Sequence, residues 1–329
     1  MIWLWFAISA VLIVAAATQL ARYGDAIALR TRLGGMLVGS LLLAGATSLP
    51  ELLTTLNSLG QGIPNLAAGD IFGSCMFNVL LLGVLDIIHY RSRILRRVAM
   101  RHALTAGLAT LLLGMAIFFI LADIQVQILW VGLDSLLILG MYIFGVWVIR
   151  STSRMTQAPE ATLPVDPRVP GLLQASIGFA SSAAALVIVA PWLVSSAGEI
   201  AHVTGLGTGF VGAVFVAITT SLPEVVTVTA AARYGAYDLA VGNLFGSNVF
   251  NMFALSSTDF WYLPGRYLGR IDPAFALVGL LAMLLTNMGL IGNLARLERR
   301  LLFVEVDAML LIIGYCAGLW LLYSLGIGA

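Results

Sequence analysis

The chain of 329 residues is 60% hydrophobic and 10% charged, with a mean hydropathy of +1.00. Soluble domains carry about 25% charged residues, so this composition excludes a soluble globular enzyme. At about 20 residues per membrane-spanning helix, the apolar content suffices for about nine or ten spans and leaves no room for a sizeable soluble domain.

Ten apolar stretches long enough to cross a bilayer follow one another along the chain. They predict an all-α polytopic membrane protein, because lipid satisfies no exposed strand edge and the stretches lack the alternation of an outer-membrane barrel. The first stretch has no basic residue before it, so we expect an uncleaved helix. The stretches fall at 2–21, 34–59, 64–89, 102–121, 127–149, 171–195, 207–232, 238–263, 273–294 and 301–323.

One segment between the apolar stretches has the composition of a linker. Residues 151–170 contain four prolines, which favour irregular structure. The segment divides the chain into a first half of five predicted helices, 1–150, and a second half of five, 171–329. We call these the two halves below.

The basic residues are distributed unevenly between the predicted loops. All 17 are arginines, and 15 of them fall on one side of the ten-helix plan, whereas only Arg266 and Arg270 fall on the other. The richer side is expected to face the cytoplasm, which places the linker inside and both termini outside. This pattern indicates membrane orientation and not a nucleic-acid partner. From the short linker and the absence of a targeting segment we expect a multi-pass protein of the cell (inner) membrane, in contact with lipids.

The two halves share a repeated motif. Residues 47–51 and 220–224 both read TSLPE, and GDIFGSCMFN at 69–78 matches GNLFGSNVFN at 242–251. Between Thr47–Asn78 and Thr220–Asn251, 15 of 32 positions are identical without a gap. The copies lie five helices apart, and because five is odd they should cross the membrane in opposite directions. Inverted repeats with interrupted helices are typical of secondary transporters.

Each TSLPE motif places a proline and a carboxylate inside a predicted span. Pro50 and Pro223 remove a backbone donor, which should free carbonyl groups in the preceding turn. Glu51 and Glu224 follow at equivalent positions, and an acid at a helix centre costs about 2.5–3.5 kcal/mol. A compensating cation or proton would offset this cost. The alternatives are a simple packing kink and a pair of protonated, hydrogen-bonded glutamates.

The second motif supplies oxygen atoms that complement the glutamates. Ser74 with Asn78, and Ser247 with Asn251, are spaced i, i+4 and therefore share one helix face. Hydroxyl, amide and carboxylate oxygens suit hard cations such as calcium or sodium. No histidine or cysteine belongs to this set. Glycines should let these helices approach the broken helices closely; they are Gly69, Gly73, Gly242 and Gly246.

A further acid lies near this set. Asp70 stands one turn before Ser74 and is expected along the access path to the site, as is its neutral repeat partner Asn243. Because Asp70 has no acidic counterpart in the other repeat, direct ligation is the less favoured reading for it.

The paired motifs resemble the alpha-repeats of the calcium/cation antiporter superfamily, in particular those of prokaryotic sodium/calcium exchangers. The resemblance implies a ten-helix fold with a midplane cation cluster. Departures fall at Ala46 and Thr219, where glycine is common, and at Cys75, where the family has asparagine. The implied ligands are the carboxylates of Glu51 and Glu224, the side chains of Thr47, Ser48, Ser74, Asn78, Thr220, Ser221, Ser247 and Asn251, and the carbonyls of Ala44 and Ala217.

These observations predict a secondary antiporter that exchanges calcium for sodium, with no cofactor and no catalytic residues. Two ionised glutamates carry a charge of −2, which one Ca²⁺ neutralises, whereas three Na⁺ would leave +1. A proton-coupled exchanger of the same fold is the main alternative, and protons are then a further partner. A cation channel is less favoured. An intramembrane enzyme is disfavoured because neither a nucleophile nor a set of zinc-binding histidines accompanies the acids.

Overall fold

The computed structural model describes residues 1–31, 36–89, 94–156, 169–295, 300–301 and 304–326. Most of these residues are helical, as the sequence predicts. In chain order the helices are α1 (Ile2–Thr31), α2 (Met36–Thr47), α3 (Leu49–Gly60), α4 (Pro64–Ile88), α5 (Ile94–Ala122), α6 (Leu133–Thr156), α7 (Leu172–Thr204), α8 (Thr208–Val211), α9 (Ala217–Thr220), α10 (Leu222–Arg233), α11 (Tyr237–Ser257), α12 (Phe275–Ala295) and α13 (Val306–Ser324). Shorter elements are a π-helical turn (Gly212–Val216) and two 3-10 turns (Thr258–Phe260 and Tyr267–Gly269).

Six of the described helices are long and apolar enough to cross a bilayer. A seventh span results if the bent pair Thr208–Thr220 and Leu222–Arg233 counts as one segment. Large apolar side chains such as Trp5, Phe144 and Trp192 are exposed on these helices. Exposed apolar surface of this extent marks contact with a membrane, so the protein is a multi-pass membrane protein.

The predicted stretch 127–149 is not helical from its start. β1 (Gln127–Ile128) pairs antiparallel with β2 (Val131–Gly132), and α6 begins only at Leu133. Between the two strands, Leu129 has a φ of 62°, a left-handed conformation that a continuous helix excludes. The prediction of an all-α protein is therefore wrong at this hairpin.

Two later stretches also differ from the prediction. The stretch 301–323 starts in a second short hairpin, in which β3 (Arg300–Leu301) pairs with β4 (Val304–Glu305) before α13 begins. In the stretch 238–263, α11 gives way early to a 3-10 turn, where Asp259 accepts hydrogen bonds from loop backbone. At both places the apolar stretch is therefore longer than the helix that forms within it.

Other helices are longer than predicted. α1 extends to Thr31, and α7 extends to Thr204, where Gly205 ends it with a φ of 70°, the left-handed conformation common just after a helix. α6 continues through Thr156, so the start of the predicted linker is helical. The rest of that linker, 157–168, lies outside the described residues.

The helices α4 and α11 hold the two halves together. α4 packs against α8, the π-helical turn and α9 of the second half, and α11 packs against α2 of the first half. The two helices also contact each other. Each TSLPE segment is therefore brought against the motif-bearing helix of the opposite half.

The helices α1 and α7 pack along each other. Their contact has its own hydrophobic cluster, in which Ile13, Leu20, Leu186 and Leu193 are almost fully buried. A larger cluster is centred on residues such as Phe72 of α4. The cluster at the α1–α7 contact also includes buried side chains of α2, α4 and α8, so it joins the pair to these helices and is separate from the main core.

Glycines allow α4 to reach the second half at backbone distance. A Cβ added to Gly73 would lie 2.6 Å from Ala213 Cα and 2.8 Å from the Ala213 carbonyl oxygen. A Cβ added to Gly69 would collide with the backbone of Gly209, and one on Gly212 would lie 3.1 Å from Gly69 Cα. The predicted role of Gly69 and Gly73 is confirmed, while that of Gly242 and Gly246 stays a prediction.

A buried ion pair joins two loops at one end of the molecule. Arg266, only 4% exposed, donates a hydrogen bond to Asp134 Oδ2 at 3.0 Å and also contacts Asp123. Asp259, from the same loop as Arg266, accepts a hydrogen bond from Gly132 N at 3.0 Å. These contacts tie the loop between α11 and α12 to the hairpin between α5 and α6, and so connect the two halves.

Replacing Arg266 by methionine should lower the free energy of unfolding by about 3–5 kcal/mol, because Asp134 would stay buried without its cation. Thermal melting of the detergent-purified protein measures this effect. The matched control is Arg270→Met, since Arg270 is an exposed arginine of the same loop. Equal melting temperatures for the two variants would contradict the role of the buried pair.

Replacing Gly73 by alanine should destabilise the protein by about 1–3 kcal/mol, because the added methyl group meets the Ala213 backbone. Melting temperature is again the measurement. Gly107→Ala is the control, because a Cβ at Gly107 of α5 meets nothing within 4 Å. If both alanine variants melt together with the wild type, the close crossing of α4 is not needed for stability.

Candidate cation-binding site

Both TSLPE segments break a helix at their serine. α2 passes into α3 at Ser48, with φ −91° and ψ 11°, and α9 passes into α10 at Ser221, with φ −86° and ψ 2°. Pro50 and Pro223 follow within the first turn of the new helix, where the missing N–H has no intrahelical partner to lose. The predicted interruption is confirmed at both places, and the second break bends the chain by 43°.

Each glutamate accepts a hydrogen bond from the serine of the opposite break. Ser48 Oγ donates to Glu224 Oε1 at 2.8 Å, and Ser221 Oγ donates to Glu51 Oε1 at 3.1 Å. Both carboxylates lie in the first turn of a helix, where the helix dipole favours negative charge. Glu51 is 1% exposed and Glu224 is fully buried. The two charges are thus held at one place by groups from both halves.

Serines of α4 and α11 extend this cluster. Ser247 Oγ donates to Glu224 Oε1 at 3.2 Å, and Ser74 Oγ lies 3.0 Å from Ser221 Oγ. Both serines are fully buried. The predicted polar faces of α4 and α11 therefore both reach the helix breaks.

Four oxygen atoms of the cluster are buried without a hydrogen-bond partner. They are Glu51 Oε2, Glu224 Oε2, Asn78 Oδ1 and Asn251 Oδ1. Leaving a buried acceptor unsatisfied costs about 1–3 kcal/mol, and more if it is charged. All four atoms belong to predicted ligands and accept rather than donate, so bound cations would satisfy them.

The carbonyls of Ala44 and Ala217 are not freed by the prolines. Ala44 O accepts a hydrogen bond from Ser48 N at 2.9 Å, and Ala217 O accepts one from Ser221 N at 3.0 Å. A proline removes the donor to the carbonyl four residues before it. In each half, that carbonyl is neither Ala44 O nor Ala217 O. The carbonyls that we expect to be freed, around 44–47 and 217–220, therefore do not include these two. Ligation through their second lone pair stays a prediction.

Asp70 and Asn243 lie inside the buried cluster. Thr220 Oγ1 donates to Asp70 Oδ1 at 2.9 Å, and Thr54 Oγ1 donates to Asp70 Oδ2 at 2.5 Å. In the other half, Thr47 Oγ1 lies 3.5 Å from Asn243 Oδ1. Asp70 is 1% exposed and Asn243 is fully buried, so neither lines an open path in this conformation. Their role in access stays a prediction.

The sequence analysis missed three contributors to the cluster. Asn78 Nδ2 donates to Asn248 Oδ1 at 2.9 Å, and Asn248 Nδ2 donates to Cys75 O at 3.3 Å. Asn251 Nδ2 lies 3.8 Å from Cys75 Sγ, so a cysteine packs against the predicted ligands. Thr54 is the third, through its bond to Asp70. The repeat itself held the signal, because Asn248 and Cys75 are equivalent positions and Thr54 is identical in both copies.

The chemistry of the cluster suits a hard cation. In the part of the chain that the structure describes, no three acidic, histidine or cysteine side chains form a metal-binding group. A cation at this place would therefore depend on hydroxyl and amide oxygens in addition to the carboxylates. Oxygen donors of this kind favour Ca²⁺ or Na⁺ over soft transition metals.

Comparison with known proteins agrees with this chemistry. Residues 1–150 and 175–324 match the family model described as sodium/calcium exchanger protein. The chain belongs to this sodium/calcium exchanger family. Both motif-bearing regions lie within the matched residues, and members of the family are transporters.

Relatives of the exchanger family match over different lengths. The candidate antiporter CaxA of Alkalimonas amylolytica is 28% identical over 326 residues, which cover 95% of this chain and 96% of CaxA. The inner membrane protein YrbG of Escherichia coli (strain K12) is 27% identical over 72% of this chain and 71% of YrbG. The sodium/calcium exchanger MaX1 of Methanosarcina acetivorans is 37% identical, over 25% of this chain and 24% of MaX1.

Solved structures of the sodium-calcium exchanger NCX_Mj share the fold. The structure soaked with 2.5 mM Na⁺ and 10 mM Sr²⁺ aligns with a TM-score of 0.61 at 18% identity, covering 97% of this chain and 99% of that chain. The structure soaked with 10 mM Na⁺ and zero Ca²⁺ aligns with a TM-score of 0.59 at 19% identity. The backbone arrangement of this chain is therefore that of an exchanger.

Replacing Glu51 by glutamine should weaken Ca²⁺ binding to the purified protein about a hundredfold or more, because the amide keeps an acceptor for Ser221 but loses the charge. Glu224→Gln should act in the same way. Isothermal calorimetry measures binding, and a melting curve checks folding. Glu199→Gln on the exposed surface of α7 is the control. Wild-type affinity in folded Glu51→Gln protein would remove Glu51 from the site.

Proposed function

We propose that this protein is a secondary active antiporter that exchanges Ca²⁺ for Na⁺ across a membrane by alternating access. Membership of the exchanger family supports cation exchange, and the relatives MaX1 and NCX_Mj are named for sodium and calcium. The transported ions would bind at the cluster described above. The proposal requires no cofactor and no catalytic group.

The observation that carries the proposal is the set of four unpartnered buried oxygens. They come from both halves, and two of them belong to the carboxylates that the opposite serines hold in place. A charge of −2 from Glu51 and Glu224 would be neutralised by one Ca²⁺, and competition from Na⁺ at the same oxygens would couple the two fluxes. Side chains of Thr47, Ser48, Ser74, Asn78, Thr220, Ser221, Ser247 and Asn251, with the carbonyls of Ala44 and Ala217, complete the proposed ligand set.

We propose ten spans in two inverted five-helix repeats, residues 1–150 and 171–329, joined by a cytoplasmic linker at 151–170. In this arrangement α2 with α3, and α8 through α10, are the broken spans. The contacts of the halves support the pairing, because α4 meets the broken span of the second half as α11 meets that of the first. Both termini would then be extracytoplasmic.

The starts of α4 and α11 support opposite directions for the two repeats. Asn65 Oδ1 at the start of α4 accepts a hydrogen bond from Asp272 N at 2.8 Å, in the loop with the two arginines of the arginine-poor side. Asp238 at the start of α11 lies 3.7 Å from His102, next to the arginine-rich segment 91–101. The two starts thus lie with loops of opposite predicted sidedness.

Alternating access requires one part of the molecule to move against another. The α1–α7 pair is suited to this role because it packs across both broken spans through a hydrophobic cluster that is separate from the main core. Its contacts include α2, α9 and α10 for α1, and α3 and α8 for α7. Movement of the pair would therefore expose the candidate cation-binding site without unpacking the main core.

The surroundings of the protein follow from its surface. Exposed side chains such as Trp3, Ile177, Ile188 and Trp320 fit contact with lipid chains. The name of the relative YrbG, an inner membrane protein, supports the cell membrane as the location. Lipids, Ca²⁺ and Na⁺ are then the partners that the function needs.

Uptake of radioactive Ca²⁺ into proteoliposomes tests the function. Vesicles loaded with Na⁺ should accumulate Ca²⁺, and an inside-positive potential should increase uptake, because exit of three Na⁺ for one Ca²⁺ moves one positive charge outward. Glu51→Gln protein in identical vesicles is the control. Uptake without any counter-ion would indicate a channel instead.

The same vesicles decide whether protons replace sodium. Uptake driven only by a pH gradient, with no response to Na⁺, would contradict sodium coupling and identify a proton-coupled exchanger of the same fold. Absence of uptake under both gradients would contradict Ca²⁺ as the substrate.

A further inference from the structure

Asp70 and Asn243 are equivalent positions of the two repeats that differ in charge. Each contacts the threonine of the opposite TSLPE motif: Asp70 meets Thr220 at 2.9 Å, and Asn243 meets Thr47 at 3.5 Å. Both residues are buried. The two halves of the cluster therefore match in the type of contact, but only one of them contains an additional carboxylate.

Asp70 receives hydroxyl donors but no cation from the protein. Its two oxygens accept hydrogen bonds from Thr220 and Thr54, and no described basic side chain forms an ion pair with it. A buried carboxylate held only by neutral donors is costly, which makes a nearby cation favourable. The unpartnered oxygens of the two glutamates and two asparagines described above mark where such a cation would lie.

The contact with Asp70 also orients the Thr220 hydroxyl. Because Thr220 Oγ1 donates its proton to Asp70, the lone pairs of Oγ1 remain available to a cation. The equivalent hydroxyl of Thr47 lies 3.1 Å from its own helix carbonyl, Ala44 O, and farther from its amide partner Asn243. Thr220 Oγ1 also lies 3.1 Å from Val216 O and 3.2 Å from Ala217 O, and Asp70 is the charged one of these three acceptors.

Asp70 lies toward the arginine-poor side of the cluster. It stands one turn before Ser74, in the direction of Asn65, and Asn65 is bonded to the loop at Asp272. Asn243 lies toward the opposite side, in the direction of Asp238 and His102. The additional charge therefore belongs to the half of the cluster that the proposed orientation places nearer the outside.

We propose that Asp70 is an affinity-determining residue. Its charge lets the site bind cations from the extracytoplasmic side more tightly than the neutral Asn243 lets the site bind them from the cytoplasmic side. It acts through its own negative charge and by positioning the Thr220 hydroxyl. This inference rests on the proposed antiport function and places the charge of Asp70 beside the two glutamates, without making Asp70 a third ligand. It predicts that the two faces of the protein differ in their half-saturating Ca²⁺ concentration.

A charge-swap series tests the proposal. The variants are Asp70→Asn, Asn243→Asp and the double variant, each measured for Na⁺-driven Ca²⁺ flux in right-side-out and inside-out vesicles from cells without other exchange activity. Asp70→Asn should raise the half-saturating Ca²⁺ concentration at the extracytoplasmic face about tenfold. The cytoplasmic value should change less than threefold. The double variant should reverse the difference between the faces.

Each outcome decides the proposal. An unchanged half-saturating concentration in Asp70→Asn, or an equal change at both faces, would overturn it, because a merely structural residue has no sidedness. If Asp70→Asn protein does not fold by its melting curve, Asn243→Asp alone decides, since it should lower the cytoplasmic value. Absence of exchange in the wild type would instead overturn the proposed function, and calorimetric Ca²⁺ binding by Asp70→Asn would then test the contribution to affinity separately.

Discussion

Burial of a carboxylate in a membrane protein needs hydrogen-bond donors or positive charge close by, and here each glutamate accepts a hydrogen bond from the other half of the chain. Ser48 donates a hydrogen bond to Glu224, and Ser221 donates one to Glu51. This crossed pairing of serines and glutamates requires both helix breaks to lie side by side. That arrangement in turn requires α4 and α11 to cross between the halves. The close contact of Gly73 with Ala213 makes that crossing possible. The packing and the chemistry of the protein thus depend on the same pair of hydrogen bonds.

The sequence predicts the elements that rest on local rules. Proline inside an apolar run predicts a helix break, and the repetition of TSLPE predicts that the second break matches the first, as the dihedrals of Ser48 and Ser221 confirm. The hairpin at 127–132 escapes prediction because two-residue strands in an apolar run look like the start of a span. Cys75 and Asn248 escape because their contacts join residues from opposite halves. Periodicity reports a helix face but not which residue of a distant helix meets it.

The two halves are similar but not equivalent. The second half enters its break through a π-helical turn (Gly212–Val216), whereas the described part of α2 is regular. A π-helical turn accommodates an extra residue and is frequent at functional sites, and this one contacts α4 beside Gly69 and Gly73. The ion pair of Arg266 likewise lies at one end only among the described residues. Differences of this kind give a pseudo-symmetric molecule two faces with different properties.

The crossed hydrogen bonds also bear on how such a molecule can be divided. A fragment that contains only residues 1–150 would keep Glu51 but lack Ser221, and a fragment that contains only 171–329 would keep Glu224 but lack Ser48. Neither fragment could complete its own polar centre. One chain that carries both halves therefore supplies each glutamate with its serine, even though the halves differ at positions such as Cys75 and Asn248.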